Sequence, residues 1–577
     1  MGEAVFAFEA SEAATFECAL DGGAPEVAAS PRSYAGLGQG PHTFSVVAID
    51  AAGNRDASAA TATWTVVLPP VHTLAYAERG LVAHVGEPLA AVLPVGSVWT
   101  DFGVPAINDA GDVVFIGKWT HPAGKGEAVF VKSPTTGDLE IIIQRGSPPP
   151  PDSSLPPDAT IKALKDPLLA PNGDVLTPVT LAGTGITSAN DAALIWSPRS
   201  NIAGARIVVR EGDPVDGAAT KAFKGTSIMI KGMTILTDSV AFTAILTGAG
   251  VTSANDFALC AWDEAEGLRL LAREGQVMEE GTGFHLVSRP AAPGERTLKS
   301  FKTLIAATGA PGQGRGMHGA TAQHQAGMLA KFSDGSSAVM SVDALGEATV
   351  YSASGSSFKS YGIPAWGAGF ASPVFFATPT SGAKGIFQCN DATGETDTLI
   401  RVGDDVAGVS GATVKSLLDP VLSTDATRKG WNGAIMAGGI VSGRAIWQKA
   451  DTDDESEILA RTGTQAAEAP AGALWGAFKS LAMPARGALL SATLTQGAGG
   501  VNGSNDAGLW AVDGEGALRL LFREGDTIGG KVLKSFIVLK AVSGSPGVTR
   551  AFNDNGQIVW RATFTGGSTA IVVTTVP

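Results

Sequence analysis

The chain has 577 residues, 44% of them hydrophobic and only 17% charged, with 74 glycines and 32 prolines. That is too long for one ordinary core and too turn-rich for a helical protein, so a small domain plus one large all-β repeat domain is expected. A net charge of −14 with no basic block speaks against nucleic acid as a partner, and no run reaches the roughly 18 to 20 apolar residues of a membrane span.

Residues 1–68 read as a separate unit. VFAFEA, ATFECAL, HTFSVVAID and ATWTVV alternate like half-buried strands. MGEAVFAFEASEAATF carries acidic residues where a secretion signal would be basic, so the chain as given has no export signal. It is expected to be a fragment, or a truncated reading, of a longer exported protein. Cys18, Cys260 and Cys389 fall in different units and give no disulfide framework. Residues 69–76, which include Pro69 and Pro70, read as a stiff linker, and 77–577 as the repeat domain.

The repeat is clearest from Phe478 to Asp526. FKSLAM, ALLSATL, GLWAV and LRLLF have strand length and are bounded by turn-formers, with no helical period joining them. Four such strands make an antiparallel meander that needs stacked copies to be stable. An apolar-Lys-small-apolar opening recurs at Ile161, Phe223, Leu298, Phe358, Val414, Phe478 and Leu533, with a degenerate form at Trp99. A closing strand ends in REGD or a relative, as in IVVREGDP (Ile207 to Pro214), LLAREGQ (Leu270 to Gln276) and LLFREGD (Leu520 to Asp526). The eighth opening is followed by only two more strands, while LVAHVGEP (Leu81 to Pro88) reads as a closing strand with no unit before it. Pairing Leu81–Pro88 with Ile571–Val576 closes eight units into a ring, an eight-bladed β-propeller without a free edge. A seven-bladed propeller and an open β-solenoid are the alternatives.

FECALDGG, SPRSYAGLGQGPHTFSVVAIDAAGN and the final TWTV make residues 1–68 similar to the immunoglobulin-like modules carried in tandem by large bacterial surface proteins. Such modules often have a second cysteine just before the SP. Here that place is Ala28 or Ala29, so the resemblance implies that Cys18 is a free buried thiol. INDAGDVVF (Ile107 to Phe115), APNGDVL (Ala170 to Leu176) and FNDNGQIVW (Phe552 to Trp560), together with REGD, resemble an uncharacterised class of secreted bacterial tandem-repeat proteins. That resemblance implies export and an extracellular or cell-surface setting, and no activity.

In a meander blade the second-to-third link and the link to the next blade lie on one face of the disc. The long Gly-rich second-to-third links Leu181–Trp196, Leu246–Trp262 and Leu494–Trp510 make that face the candidate ligand surface. Lys162, Lys224, Lys299, Lys359, Lys415, Lys479 and Lys534 enter the innermost strands from it, which suggests a cationic ring for a carboxylate, a sulfate or an acidic glycan. Alternatively, each Lys lays its stem on apolar surface and pairs with a neighbouring acid. Asn190, Asp191, Asn255, Asp256, Asn505 and Asp506 sit in the same loops. They lack the spacing of a calcium loop, so turn formation competes with ligand binding. The REGD residues read as a turn with a local ion pair. His285, His318 and His324 lie in a fourth-blade insertion without a metal-binding spacing. No catalytic signature, cofactor motif or metal set emerges.

Three functions follow. The first is a non-enzymatic, extracellular or cell-surface binding or adhesion module whose partner is a glycan or a protein. The second is a polysaccharide lyase or hydrolase acting from the same face, which predicts paired acids with perturbed ionisation. The third is a self-associating subunit of a surface array.

Overall fold

The structure is a computed structural model. It describes residues 2–78, 93–94, 96–135, 137, 139–215, 227–235, 239–280, 284–303, 317–318, 325–343, 346–353, 355, 357–366, 373–390, 395–423, 427–437, 439–453, 455–538 and 551–577.

Residues 2–66 form a small two-sheet module. Ala14–Leu20 and Gly40–Asp50 are the central strands of a four-stranded sheet, and Gly2–Phe6 pairs with Arg32–Leu37 in a two-stranded one. Alternation along the strands sends Cys18, Phe44 and Val46 inward against Phe6, Phe8, Phe16, Tyr34 and Trp64. Phe6 stacks on Phe44 with ring centroids 4.2 Å apart. Cys18 is a free, buried thiol.

The rest of the chain is a β-propeller. Among the described residues there are eight antiparallel meanders of four principal strands. Their innermost strands are Val98–Phe102, Thr160–Leu164, Ser227–Ile235, Leu298–Thr303, Phe358–Tyr361, Ala412–Leu417, Trp475–Ala482 and Lys531–Ile537. The fourth blade is widened by the hairpin Val277–Glu280 and Phe284–Val287, which pairs with its outer strand.

Apolar clusters fill every junction between consecutive blades, and the circle is complete. Val559, Ile571 and Val573 of the last blade bury against Trp99, Phe115 and Phe130 of the first. Such sheets, apolar on both faces, are stable only when both neighbours are present.

Ring closure uses a different strand from the one expected. Val71–Glu78 pairs with Thr569–Thr575, while Leu81–Pro88 lies outside the described residues. The pairing places the closing strand where the sequence suggests a linker, so the propeller begins at about Val71, directly after the two prolines. It occupies the place of a fourth strand. The other outer strands each skip one residue against their neighbour, as at Ile142 and Val208, and this one skips two, Ala75 and Ala77. The Gly-Glu-Pro ending of LVAHVGEP imitates a closing turn. Pairing partners 500 residues away leave no local mark.

Hydrogen-bonded staples join the blades on both faces, backbone to backbone on one and side chain to backbone on the other. On one face the Gly of the REGD-type turn bonds the next blade's first strand. Gly275 N–H donates to the Leu298 carbonyl (2.7 Å), and Leu298 N–H donates to the Gln276 carbonyl (2.7 Å). The same two-bond staple joins Gly146 and Ser147 to Ile161, Gly403 and Asp404 to Val414, and Gly525 and Asp526 to Leu533. On the other face, Asn553 Nδ2 donates to the Asn108 carbonyl (2.9 Å) and Asn108 Nδ2 to the Ala170 carbonyl (3.3 Å).

The small module is tied to the seventh blade. Gln39 Nε2 donates to Asp513 Oδ2 (3.3 Å), and its Oε1 accepts from Leu68 N–H (2.9 Å). Arg519, almost fully buried, bonds Asp513 (3.3 Å) and Glu468 (2.7 Å).

Candidate functional site

The innermost strand of every blade carries a β-bulge at one register. Ile161 pairs with Leu181 and Ala163 with Thr180, which leaves Lys162 without a cross-strand partner. Lys299, Lys359, Lys415, Lys479 and Lys534 are skipped in the same way. A bulge adds one residue to one strand, bends it and re-aims the extra side chain. At the bulge the inner strand is paired with its blade on one side only, so its other edge faces the ring axis there; in the last blade Thr527–Ile528 pairs with the residues before the bulge, Lys531 and Val532. The residue before the bulge is buried at Ile161, Leu298, Phe358, Val414 and Leu533. Four of these five also carry the interblade staple.

All six of these lysines are exposed. None makes an ion pair among the described residues. Lys224 lies outside the described residues. In the third blade the skipped residue is Lys231, between Ile230 and Gly232, and in the first it is Thr100. FKGT at Phe223, the third opening expected from the sequence, lies outside the described residues. IKGM at Ile230 fits the same pattern and stands nearer the second strand, a signal that strand spacing could have supplied.

Asn190, Asn255 and Asn505 adopt one geometry. Their Oδ1 atoms accept the backbone N–H of Thr187 (2.7 Å), Thr252 (2.7 Å) and Asn502 (2.8 Å). Their Nδ2 atoms reach the carbonyls of Gly185 (3.4 Å), Gly250 (3.2 Å) and Gly500 (3.4 Å). Both ends of each amide are therefore spent on folding its own loop. The Asp191, Asp256 and Asp506 carbonyls accept from Leu181, Leu246 and Leu494.

The REGD turn touches these loops. Arg210 Nε donates to the Asn190 carbonyl (2.7 Å) and Arg273 Nε to the Asn255 carbonyl (2.6 Å), so the two kinds of link share one face. Asp213 and Asp526 each accept the backbone N–H of the turn's Arg at 2.7 Å, and burial raises both carboxyls above the usual range. Burial, and then the neighbouring Asp256, raise Glu274; burial and Asp506 do the same for Glu524. His285 lies in the fourth-blade hairpin, while nothing is described for the side chain of His318 or for His324. Among the described residues, no group of three His, Cys, Asp or Glu is placed to hold a metal, and no helix is long and apolar enough to cross a membrane.

Fold and site together define an all-β propeller protein with a lysine-bearing inner edge. The model of DUF7453, a family of unknown function, matches residues 22–350 and 318–577, and the chain belongs to that family. No curated protein matches it. Similar solved structures include an oligogalacturonate lyase in complex with manganese, with 12% identity, 88% of this chain and 97% of that one covered, and a TM-score of 0.34. Another is the β-propeller domain of the Trilobed protease from Pyrococcus furiosus (6%, 74% and 99%, 0.33). A third is the polysaccharide lyase Uly1 (9%, 82% and 90%, 0.33). Likeness at these values carries no argument about activity.

Proposed function

We propose that the chain is a non-enzymatic binding module working outside the cell or at its surface, with the loop-rich propeller face turned to a glycan or protein ligand. In this reading the N-terminal unit is an immunoglobulin-like stalk element and the propeller is the head. One observation carries the proposal. Six lysines stand at the same bulge, exposed and without an acid partner among the described residues. Ion pairing, the bland explanation for inherited lysines, has no support there.

The test is a glycan and polypeptide binding screen of the whole chain, repeated after Lys162, Lys299, Lys359, Lys415, Lys479 and Lys534 are changed to Ala. Binding should be lost while the unfolding temperature holds. Unchanged binding removes the lysines from the site.

The second reading, a lyase or hydrolase, draws on Glu274 beside Asp256 and Glu524 beside Asp506, carboxyl pairs in which the Glu is raised. Against it, each Glu also receives a backbone N–H, from Phe257 or Ala507, as a turn residue does. New reducing ends or unsaturated products in the screen, abolished by Glu274→Gln with Glu524→Gln, would favour it.

A further inference from the structure

We infer that the bulge register itself is a binding site for a polyanionic glycan, with Lys231 as its third-blade member and Thr100 as its one uncharged station. This rests on the binding reading above and narrows it to a ligand class and a residue set.

The skipped residue is Thr100, Lys162, Lys231, Lys299, Lys359, Lys415, Lys479 and Lys534 in successive blades. A bulge needs no lysine to form, and Thr100 shows this in the first blade. Six of the seven lysines are exposed and have no acid partner among the described residues, so the repeated register carries positive charge that the fold does not require and an anionic ligand would be attracted to it. The residue after the bulge is Ser in five blades: Ser300, Ser360, Ser416, Ser480 and Ser535. Each is at least partly exposed, and none of the five hydroxyls has a hydrogen-bond partner among the described residues. An ammonium beside a hydroxyl is a donor pair suited to carboxylate or sulfate oxygens.

The ligand class follows from what the edge offers. Protein interfaces concentrate Trp, Tyr and Arg in a desolvated centre, and neutral sugars and bases need aromatic platforms. Among the described residues the large exposed hydrophobics are all aliphatic, and only Leu418 and Val532 belong to or adjoin the inner strands, while the half-buried aromatics of those strands, Tyr361, Phe478 and Phe536, pack against the interblade clusters. Lysine, serine and an edge repeated blade after blade suit a flexible chain with many oxyanions. Each exposed contact is weak and the affinity comes from their number.

The experiment measures binding of the whole chain to alginate, dextran sulfate, neutral dextran and poly-L-glutamate across a salt series. Alginate or dextran sulfate should bind, with affinity falling as salt rises, and the difference between them separates carboxylate from sulfate recognition. Lys231→Ala should weaken binding about two- to fivefold, the range for one exposed ion pair, and Lys224→Ala should leave it unchanged. Thr100→Lys should tighten it. Unfolding temperatures check each variant, and Lys231→Gln replaces Lys231→Ala if the latter is unstable. Loss on Lys224→Ala but not on Lys231→Ala overturns the register assignment. Poly-L-glutamate binding as tightly as the glycans overturns the ligand class. If neither polyanion binds while another ligand from the screen does, the bulge site is wrong and the binding reading survives. If no ligand in the screen binds, the binding reading itself fails.

Discussion

Gly525 sits at φ 89° in the turn LLFREGD, and its N–H bonds the Leu533 carbonyl of the next blade at 2.8 Å. A side chain there would adopt a left-handed backbone, and its Cβ would meet the Asn505 Cβ at 3.2 Å. Gly212 and Gly275 stand against Asn190 and Asn255 in the same way. The glycine thus serves the turn, the loop and the junction together. Gly525→Ala should destabilise the propeller by about 1–2 kcal/mol, the cost of a left-handed non-glycine residue, as read from denaturant unfolding. A loss near zero would mean that the staple does not hold the junction. The REGD string was legible as a turn in the sequence. That it bonds the following blade was not, because the partner belongs to another repeat.

Between element and element the closing strand matters most. Thr569–Thr575 would present an open edge without Val71–Glu78. Trp560 Nε1 donates to Thr574 Oγ1 (2.8 Å), and His72 Nδ1 lies 2.9 Å from the same hydroxyl. Two truncations separate closure from the loss of the small module. A chain starting at Val67 should remain monomeric with a propeller unfolding temperature close to that of the full chain. One starting at Arg79 should unfold at lower temperature and associate, as seen by size-exclusion chromatography. Equal behaviour of the two would contradict closure by this strand. That the last unit lacks its own fourth strand is legible in the sequence, where the opening at Leu533 is followed by only two more strands. The identity of the replacement was misread because a Gly-Glu-Pro ending looked like a closing turn and two prolines looked like the start of a linker.

Across the whole molecule, burial acts on many carboxyls at once. Asp213, Glu274, Asp419, Glu524 and Asp526 are all raised, with burial the largest cause in each. A carboxyl with a folded pKa above its unfolded value of about 4 holds more protons in the folded state within that window. The contribution of these five carboxyls to stability therefore grows as pH falls from neutral towards about 4 and is lost as pH rises. His72 opposes it. Burial lowers its pKa, so its contribution is present above its unfolded value of about 6.5 and is lost as pH falls through the folded value. The two effects separate by mutation. Glu274→Gln with Glu524→Gln should flatten the gain in propeller unfolding temperature between pH 7 and pH 5, and an unaltered profile would show that these carboxyls carry no linkage.

The sequence by itself determined the all-β class and most of the strands and turns, because alternation and glycine placement are local and are written again in each copy. It also placed six of the seven candidate lysines on inner strands with described structure. Only the tertiary structure decided which strand closes the ring, that Lys231 occupies the third bulge, and that the loop asparagines are engaged by their own backbone. Those facts depend on cross-strand register and on contacts between residues far apart in the chain, and a pattern read along one strand carries no information about the strand beside it.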